Sequence, residues 1–280
     1  MNAAQVATYL DRIGGVQITP PSEILLRELV WKHATTIPFD ALAIHCGDPV
    51  DVSHIDAIFK KLVLQKRGGW CYEMNGLFYY ILQALGFEVA VHLASVFEKE
   101  WLPPTHAMLT VNLDGKTFLT DVGFGNWGLT EPIDLNSSDE IRVMKNGLHY
   151  QLTHSDSGEY LYSAGFNDRI SPQYRFRLSE KPLSLRDFIP LNIFFSTQKE
   201  SPFVEKAVIK LATPHGFRKL INKELTEYET IGTRMDTIKS PAVLSKVEYL
   251  ELLKQKFGVN LAPDVTFISP LKGADPALSF

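Results

Sequence analysis

A chain of 280 residues, 45% hydrophobic and 21% charged, has ordinary globular composition and is long enough for two or three small domains. Its formal net charge of −4 gives no electrostatic case for nucleic acid or an anionic membrane as a partner. Two cysteines, Cys46 and Cys71, exclude a disulfide framework and four-cysteine zinc sites; no apolar run approaches a membrane span, and the segment around Asp11 lacks the basic start and apolar stretch of a secretory signal, so the expectation is a soluble, cytoplasmic protein.

The first third reads as helical. Residues 6–13 form an amphipathic turn or two stopped by Gly14-Gly15. Pro20-Pro21 opens a second helix with an apolar stripe at Ile24, Leu25, Leu29 and Trp31, which ends before Pro38. Ser53, followed three residues later by Asp56, predicts a capping box ahead of Ile58, Leu62 and Leu64. A further helix is predicted over 71–85, where Leu77, Phe78, Ile81, Leu82 and Leu85 recur at helical spacing and Gly86 is the stop. Residues 1–86 are therefore expected to be a helical bundle.

From Phe87 the period becomes that of strands. Short runs at 88–97, 106–113, 116–122, 141–145, 148–153, 160–163 and 174–178 are separated by turn signals such as Asp114-Gly115, Asn146-Gly147 and Ser157-Gly158. Several short strands in series predict an antiparallel barrel or sandwich over 87–190. After Pro190 the signals mix. Strands are expected at 207–212 and 216–229, and a helix at 245–257 stopped by Gly258, making an α/β part over 191–280.

One run concentrates the chemistry: Arg67-Gly68-Gly69-Trp70-Cys71-Tyr72-Glu73-Met74-Asn75-Gly76. Cys71 follows a Gly-Gly break and opens a predicted helix. A thiol there faces unpaired backbone N–H groups and the positive end of the helix dipole, and both favour the nucleophilic thiolate. A base is offered by the stretch from Thr105 to Gly125, which reads as a hairpin turning at Asp114-Gly115. Pairing Leu113 with Lys116 puts Asp121 opposite Met108. His106, Met108 and Asp121 then share one face, while Ala107, Leu109, Val111, Phe118 and Val122 occupy the other, apolar one. His106 and Asp121 become diagonal cross-strand neighbours, within reach of an imidazole–carboxylate hydrogen bond that fixes the tautomer.

Two other readings of these residues fail on pattern. Cys71, His106 and Asp121 are zinc-ligand types but lack the short paired spacings of structural zinc sites, so no metal is expected. The run Gly123-Phe124-Gly125-Asn126-Trp127-Gly128 matches G-x-G-x-x-G, yet it follows an antiparallel hairpin and opens no convincing helix, so NAD binding is rejected. His33, His45, His54, His92, His149, His154 and His215 carry no pairing signal and read as structural or solvent-facing. Cys46 reads as a loop residue without a role.

Together these segments resemble the arylamine N-acetyltransferases. The resemblance is carried by Arg67 to Cys71, by Glu73, Asn75, Leu77 and Phe78, by Thr105-His106, and by Asp121-Val122-Gly123-Phe124-Gly125. Ile37-Pro38-Phe39 and the stretch from Asn192 to Phe203 agree with it. It implies an α+β fold with an N-terminal helical bundle (1–86), a central antiparallel β-barrel (87–190) and a C-terminal α/β lid (191–280) around a papain-like Cys-His-Asp core. It further implies ping-pong acyl transfer through Cys71, His106 and Asp121, with acetyl-CoA as acyl donor and a small-molecule aromatic amine, hydroxylamine or hydrazine as acceptor. A monomer or weak homodimer is expected. Phe39, Val96 and Phe124 would line the acceptor pocket, the loop at Gly125 would approach the acetyl donor, and Arg67 would pair with Asp40 beneath the site. The family's usual Pro-Phe-Glu-Asn-Leu is Pro38-Phe39-Asp40-Ala41-Leu42 here, a shorter carboxylate stem that alters that contact. Relatives in chemistry are amide synthases that close a macrolactam and transglutaminase- or papain-like cysteine enzymes.

Overall fold

The computed structural model describes residues 1–280 except 50, 126, 168, 180, 182, 232, 233, 244 and 270–275. Its N-terminal part is built from α1 (Ala3–Arg12), α2 (Glu23–Thr36), the short strand β1 (Phe39–Asp40), α3 (Leu42–His45), α4 (Ile55–Phe59) and α5 (Cys71–Ala84). Asn2 and Gln5 cap α1 reciprocally, the Asn2 side chain accepting from Gln5 N–H at 2.9 Å and the Gln5 side chain from Asn2 N–H at 3.0 Å. In α2 Ser22 is the N-cap, and the buried stripe runs through Leu25, Leu26, Leu29, Val30 and His33. Ile24 is 81% exposed, so it is not part of the stripe expected from spacing. The Ser53–Asp56 capping box does not form either. Ser53 donates its hydroxyl to Asp51 at 2.7 Å, which competes with the cap, and His54 takes the N-cap position. A wide π-helical turn, Lys60–Leu64, then delivers the chain to Arg67 and α5.

The middle of the chain supplies β2 (Glu88–Phe97), β3 (Trp101–Leu113), β4 (Lys116–Thr120), β5 (Ile133–Asp134), β6 (Arg142–Val143), β7 (His149–His154), β8 (Tyr160–Phe166) and β9 (Arg169–Phe176). They form one antiparallel sheet in the order β5-β4-β3-β2-β9-β8-β7-β6. With β5 and β6 as its ends, it is a curled half-barrel among the described residues rather than a closed barrel. Asp114 and Gly115 both have positive φ, 51° and 76°, the backbone of a type I′ turn, and Leu113 pairs with Lys116 as the turn dictates. The alternation splits the hairpin between two cores. Ala107, Leu109, Val111, Phe118 and Val122 pack with the helices, whereas Met108 and Leu119 pack inside the curled sheet.

The C-terminal part contains α6 (Ile189–Thr197), α7 (Pro202–Glu205), β10 (Val208–Thr213), β11 (Gly216–Ile221), β12 (Glu224–Ile231), β13 (Arg234–Lys239) and α8 (Lys246–Phe257). The run expected as one strand over 216–229 is broken by a turn at Asn222, whose φ is 51°. The second sheet has the order β1-β10-β11-β12-β13, so Phe39–Asp40 leaves the helical part to become its edge. A third core lies between this sheet and α8, with Ile209, Leu220 and Leu225 against Tyr249, Leu253 and Phe257. Gly258 ends α8 in the left-handed region at φ 66°, as its place after the last apolar residue predicts. Among the described residues no helix is long and apolar enough to cross a membrane.

Candidate active site

Cys71 is the first residue of α5, behind Trp70, whose N–H donates to Glu73 Oε2 at 3.1 Å. The amides of Cys71 and Tyr72 are among the first of the helix and have no intrahelical acceptor, and both residues line the space in front of the thiol. That space is a cavity of about 230 Å³ walled by Phe39, Trp70, Val96, Phe124, Phe195 and Phe203, with Cys71 and His106 in its lining. Of these walls Phe39, Val96 and Phe124 were expected from the resemblance; Trp70 immediately precedes α5, and Phe195 and Phe203 come from α6 and α7, which the sequence left unassigned as elements. Phe203 packs against Phe39 and Trp70 with ring centroids at 5.5 and 5.9 Å.

The hairpin brings His106 Nε2 to 2.7 Å from Asp121 Oδ2, with both side chains buried. Asp121 Oδ1 accepts two more hydrogen bonds, from Asn75 Nδ2 at 2.8 Å and from the Gly123 N–H at 2.9 Å. Asn75 stands one turn beyond Cys71 on the same face of α5. Besides Asp121 it donates to the Ala107 carbonyl at 2.7 Å and accepts from the Val122 N–H at 3.0 Å, and so ties α5 to both strands of the hairpin. Its place in the sequence was noted, but not this role; the i, i+4 spacing from Cys71 was the available signal. Gly123 completes the approach. A Cβ there would lie 2.9 Å from Cys71 Cα and 2.7 Å from Asn75 Nδ2.

Electrostatics follow from this packing. Burial disfavours a charged His106, but the Asp121 carboxylate, its hydrogen bond and the hydrogen bond with Cys71 outweigh burial and raise the imidazole from 6.5 to about 10. Burial likewise works against an ionised Asp121, and His106, Asn75 and the Gly123 N–H reverse that and hold its carboxyl below the usual range. With Nε2 committed to Asp121, Nδ1 is the ring nitrogen left for Cys71. Phe124 and Tyr174 flank the imidazole with centroids at 5.1 and 5.4 Å, and Tyr72 donates its hydroxyl to the Thr105 carbonyl at 2.6 Å, steadying the residue before His106.

Beneath the site, Arg67 Nε lies 3.6 Å from Asp40 Oδ2, an ion pair without a hydrogen bond. The short Asp40 side chain is turned instead to the backbone, with Oδ1 accepting from the Leu42 N–H at 2.7 Å and Oδ2 from the Gly68 N–H at 3.4 Å. A second buried pair was not foreseen: Lys61 Nζ donates to both oxygens of Glu73, at 2.8 and 2.9 Å. Gly125, expected to approach the acetyl donor, stands behind Phe39 rather than in the cavity lining. Its φ is 69°, and a Cβ there would fall 2.2 Å from Phe39 Cγ. No helix follows Gly123–Gly128 among the described residues. Nor is any group of three His, Cys, Asp or Glu side chains among them placed to hold a metal ion.

Residues 24–266 match the N-acetyltransferase family. The chain is 29% identical over 276 residues to human arylamine N-acetyltransferase 1, covering 91% of this chain and 94% of that protein. It is 32% identical over 269 residues to the arylamine N-acetyltransferase of Mycobacterium tuberculosis, covering 93% and 91%. Among solved structures it resembles the arylamine N-acetyltransferase of M. smegmatis, with a TM-score of 0.80, 29% identity and 93% of each chain covered. It also resembles that of Mycobacterium marinum in complex with CoA, with a TM-score of 0.79, 27% identity, and 91% of this chain and 93% of that one covered. The agreement of a near full-length family match, relatives of equal length and the same fold leaves one conclusion: this chain belongs to the arylamine N-acetyltransferase family.

Proposed function

We propose that Cys71, His106 and Asp121 carry acetyl-CoA-dependent N-acetylation of arylamines, the activity of this family, by a ping-pong route through an acetyl-Cys71 thioester. The observation that supports this most is the buried His106–Asp121 pair at 2.7 Å beside a helix-start thiol in an aromatic cavity. His106 takes the Cys71 proton. The Cys71 sulfur attacks the thioester carbonyl of acetyl-CoA, the bond from that carbon to the CoA sulfur breaks, and His106 returns the proton to the departing CoA thiolate. The amine then attacks the acetyl-Cys71 carbonyl, gives up a proton to His106, and the Cys71 sulfur leaves. The N–H groups of Cys71 and Tyr72 are the proposed donors to the oxyanion in both halves.

The acceptor must be a weakly basic aromatic amine, hydroxylamine or hydrazine, because an alkylamine protonated at pH 7 has no free lone pair. Phe39, Val96 and Phe124 receive its ring. Asp121 orients His106 in a papain-like arrangement, and the Asp40–Arg67 pair supports the floor. In this reading residues 1–86 carry the nucleophile, 87–190 carry His106 and Asp121, and 191–280 act as a lid, in a cytoplasmic monomer or weak homodimer. Incubation with acetyl-CoA alone, followed by intact mass and a thiol reagent, is expected to show one acetyl group on Cys71 and one equivalent of CoA released. Addition of a 4-substituted aniline is expected to start turnover. Peptide cleavage or cross-linking without CoA release would overturn the reading.

A further inference from the structure

The mechanism leaves three charged side chains of the cavity lining unused, Glu98, Lys206 and Lys210, and of these only Lys210 lies within a strand beneath the aromatic wall. Lys210 lies in β10 between Val208 and Ala212, which point to the same side and are buried at 6% and 7% exposure. It pairs across the sheet with Phe39 of β1 on one side and Lys219 of β11 on the other. Its ammonium stands 5.7 Å from the centroid of the Phe39 ring, the ring that walls the cavity, and Lys210 itself is part of the lining. Among the described residues no carboxylate makes an ion pair or hydrogen bond with it. The charged groups around it are Lys219, Glu98 just past β2 and Lys206 ahead of β10, with Cys71 and His106 in the same cavity lining and Asp121 sharing a smaller pocket with it; β1 presents only Phe39.

A half-buried ammonium without a counter-ion is costly, and a second cation beside it adds to the cost. Burial, with Lys219 adding to it and Glu98 opposing it, lowers its pKa from 10.5 to about 8. A bound anion removes the cost. The cavity, about 230 Å³, is below the roughly 300–1,000 Å³ of drug-sized sites and suits a single substituted ring. We propose that Lys210 is the anion-recognising residue of the acceptor site and selects aromatic amines that carry a ring carboxylate. This rests on the acetyl-transfer reading of the same cavity and names the class of acceptor within it.

The test compares kcat/KM for 4-aminobenzoate and for neutral, similarly shaped 4-aminobenzamide, with acetyl-CoA as donor, in the wild type, Lys210→Met and Lys210→Arg. Lys210→Met is expected to lower kcat/KM for 4-aminobenzoate by about 10–100-fold, mainly through KM, and to change that for 4-aminobenzamide by less than about 2-fold. Lys210→Arg keeps the preference for the acid. In the wild type the preference fades as pH rises through about 8, as the ammonium is lost while the carboxylate stays charged. Equal losses with both amines, or no loss with either, would overturn the proposal. So would a KM for acetyl-CoA that rises in Lys210→Met with both amines, which places the donor's phosphates at Lys210 instead. A selective loss of malonyl transfer from malonyl-CoA, with both acetyl transfers intact, would move the carboxylate to the acyl group and overturn it as well. Wild-type protein that releases no CoA with either amine would remove the acetyl-transfer reading, and the proposal with it.

Discussion

Two buried charge clusters meet the first turn of α5, and they differ in whether one end is left open. On one side Glu73 is closed off: both its oxygens accept from Lys61, one also accepts from the Trp70 N–H, and the two side chains are 7% and 3% exposed. On the other side Asp121 is just as fully engaged, by His106, Asn75 and Gly123, but the far edge of His106 faces Cys71 and the cavity. The closed pair can only hold geometry, since its proton and charge have no partner to exchange with. The open pair stores a proton next to a nucleophile. The same helix turn thus uses one buried carboxylate to fix where Cys71 stands and another to set what Cys71 can do.

Changes at the open end should show first in rate. Cys71→Ala is expected to lower acetyl transfer by about 10⁵-fold or more, with the denaturation midpoint nearly unchanged. Turnover in that variant comparable to wild type would erase the distinction between the clusters. Asp121→Asn is expected to cost about 10³–10⁴-fold in kcat, because the amide permits the wrong tautomer of His106. Changes at the closed end should do the reverse. Lys61→Met leaves Glu73 buried without its cation and is expected to cost about 3–5 kcal/mol in urea denaturation, part of which Lys61→Met combined with Glu73→Gln regains. A large fall in kcat at full folding, without a fall in stability, would show that the closed cluster acts on the chemistry as well.

The smallest effect separates the clusters' histidine from one in the helical core. His106 is raised from 6.5 to about 10, so the folded chain holds its proton more tightly than the unfolded one. Its contribution to stability is complete below about pH 6.5 and is lost as pH rises through about 10. His33, buried with its Nδ1 at 2.8 Å from the Tyr9 hydroxyl, is lowered by burial from 6.5 to about 3. Below pH 6.5 the unfolded chain takes up a proton that the folded chain refuses, so stability falls as pH drops from 6.5 towards 3. The stability gap between wild type and His106→Gln should therefore narrow on the alkaline side. The gap between His33→Gln and wild type should shift in favour of the variant on the acid side. Parallel curves would contradict the assignment.

The elements legible from sequence were those whose signals are local. Asp114-Gly115 set the register of β3 with β4 and hence the meeting of His106 with Asp121, because a two-residue turn that needs positive φ twice admits few backbones. Gly258 after Phe257 marked a helix stop for the same reason, and Gly68-Gly69 marked the break ahead of Cys71 because Pro38 and Glu73 leave no room there for a Cβ. Less legible was Ile24, misplaced because spacing alone does not say which of two adjacent stripes faces the core. α6 and α7, which bring Phe195 and Phe203 to the cavity, have no strong period and were missed as helices.

By itself, then, the sequence determined that Cys71 opens a helix and that His106 meets Asp121 across a hairpin, since a helix start and a tight turn are decided within a few residues of chain. What only the tertiary structure decided is whatever needs partners far apart in sequence: Phe39–Asp40 crossing to the edge of β10, Lys61 closing over Glu73, and Lys210 set beside the Phe39 ring without a counter-ion among the described residues. Those pairings answer to the cost of burying charge and unpaired backbone. That cost exists only once the chain has closed around them.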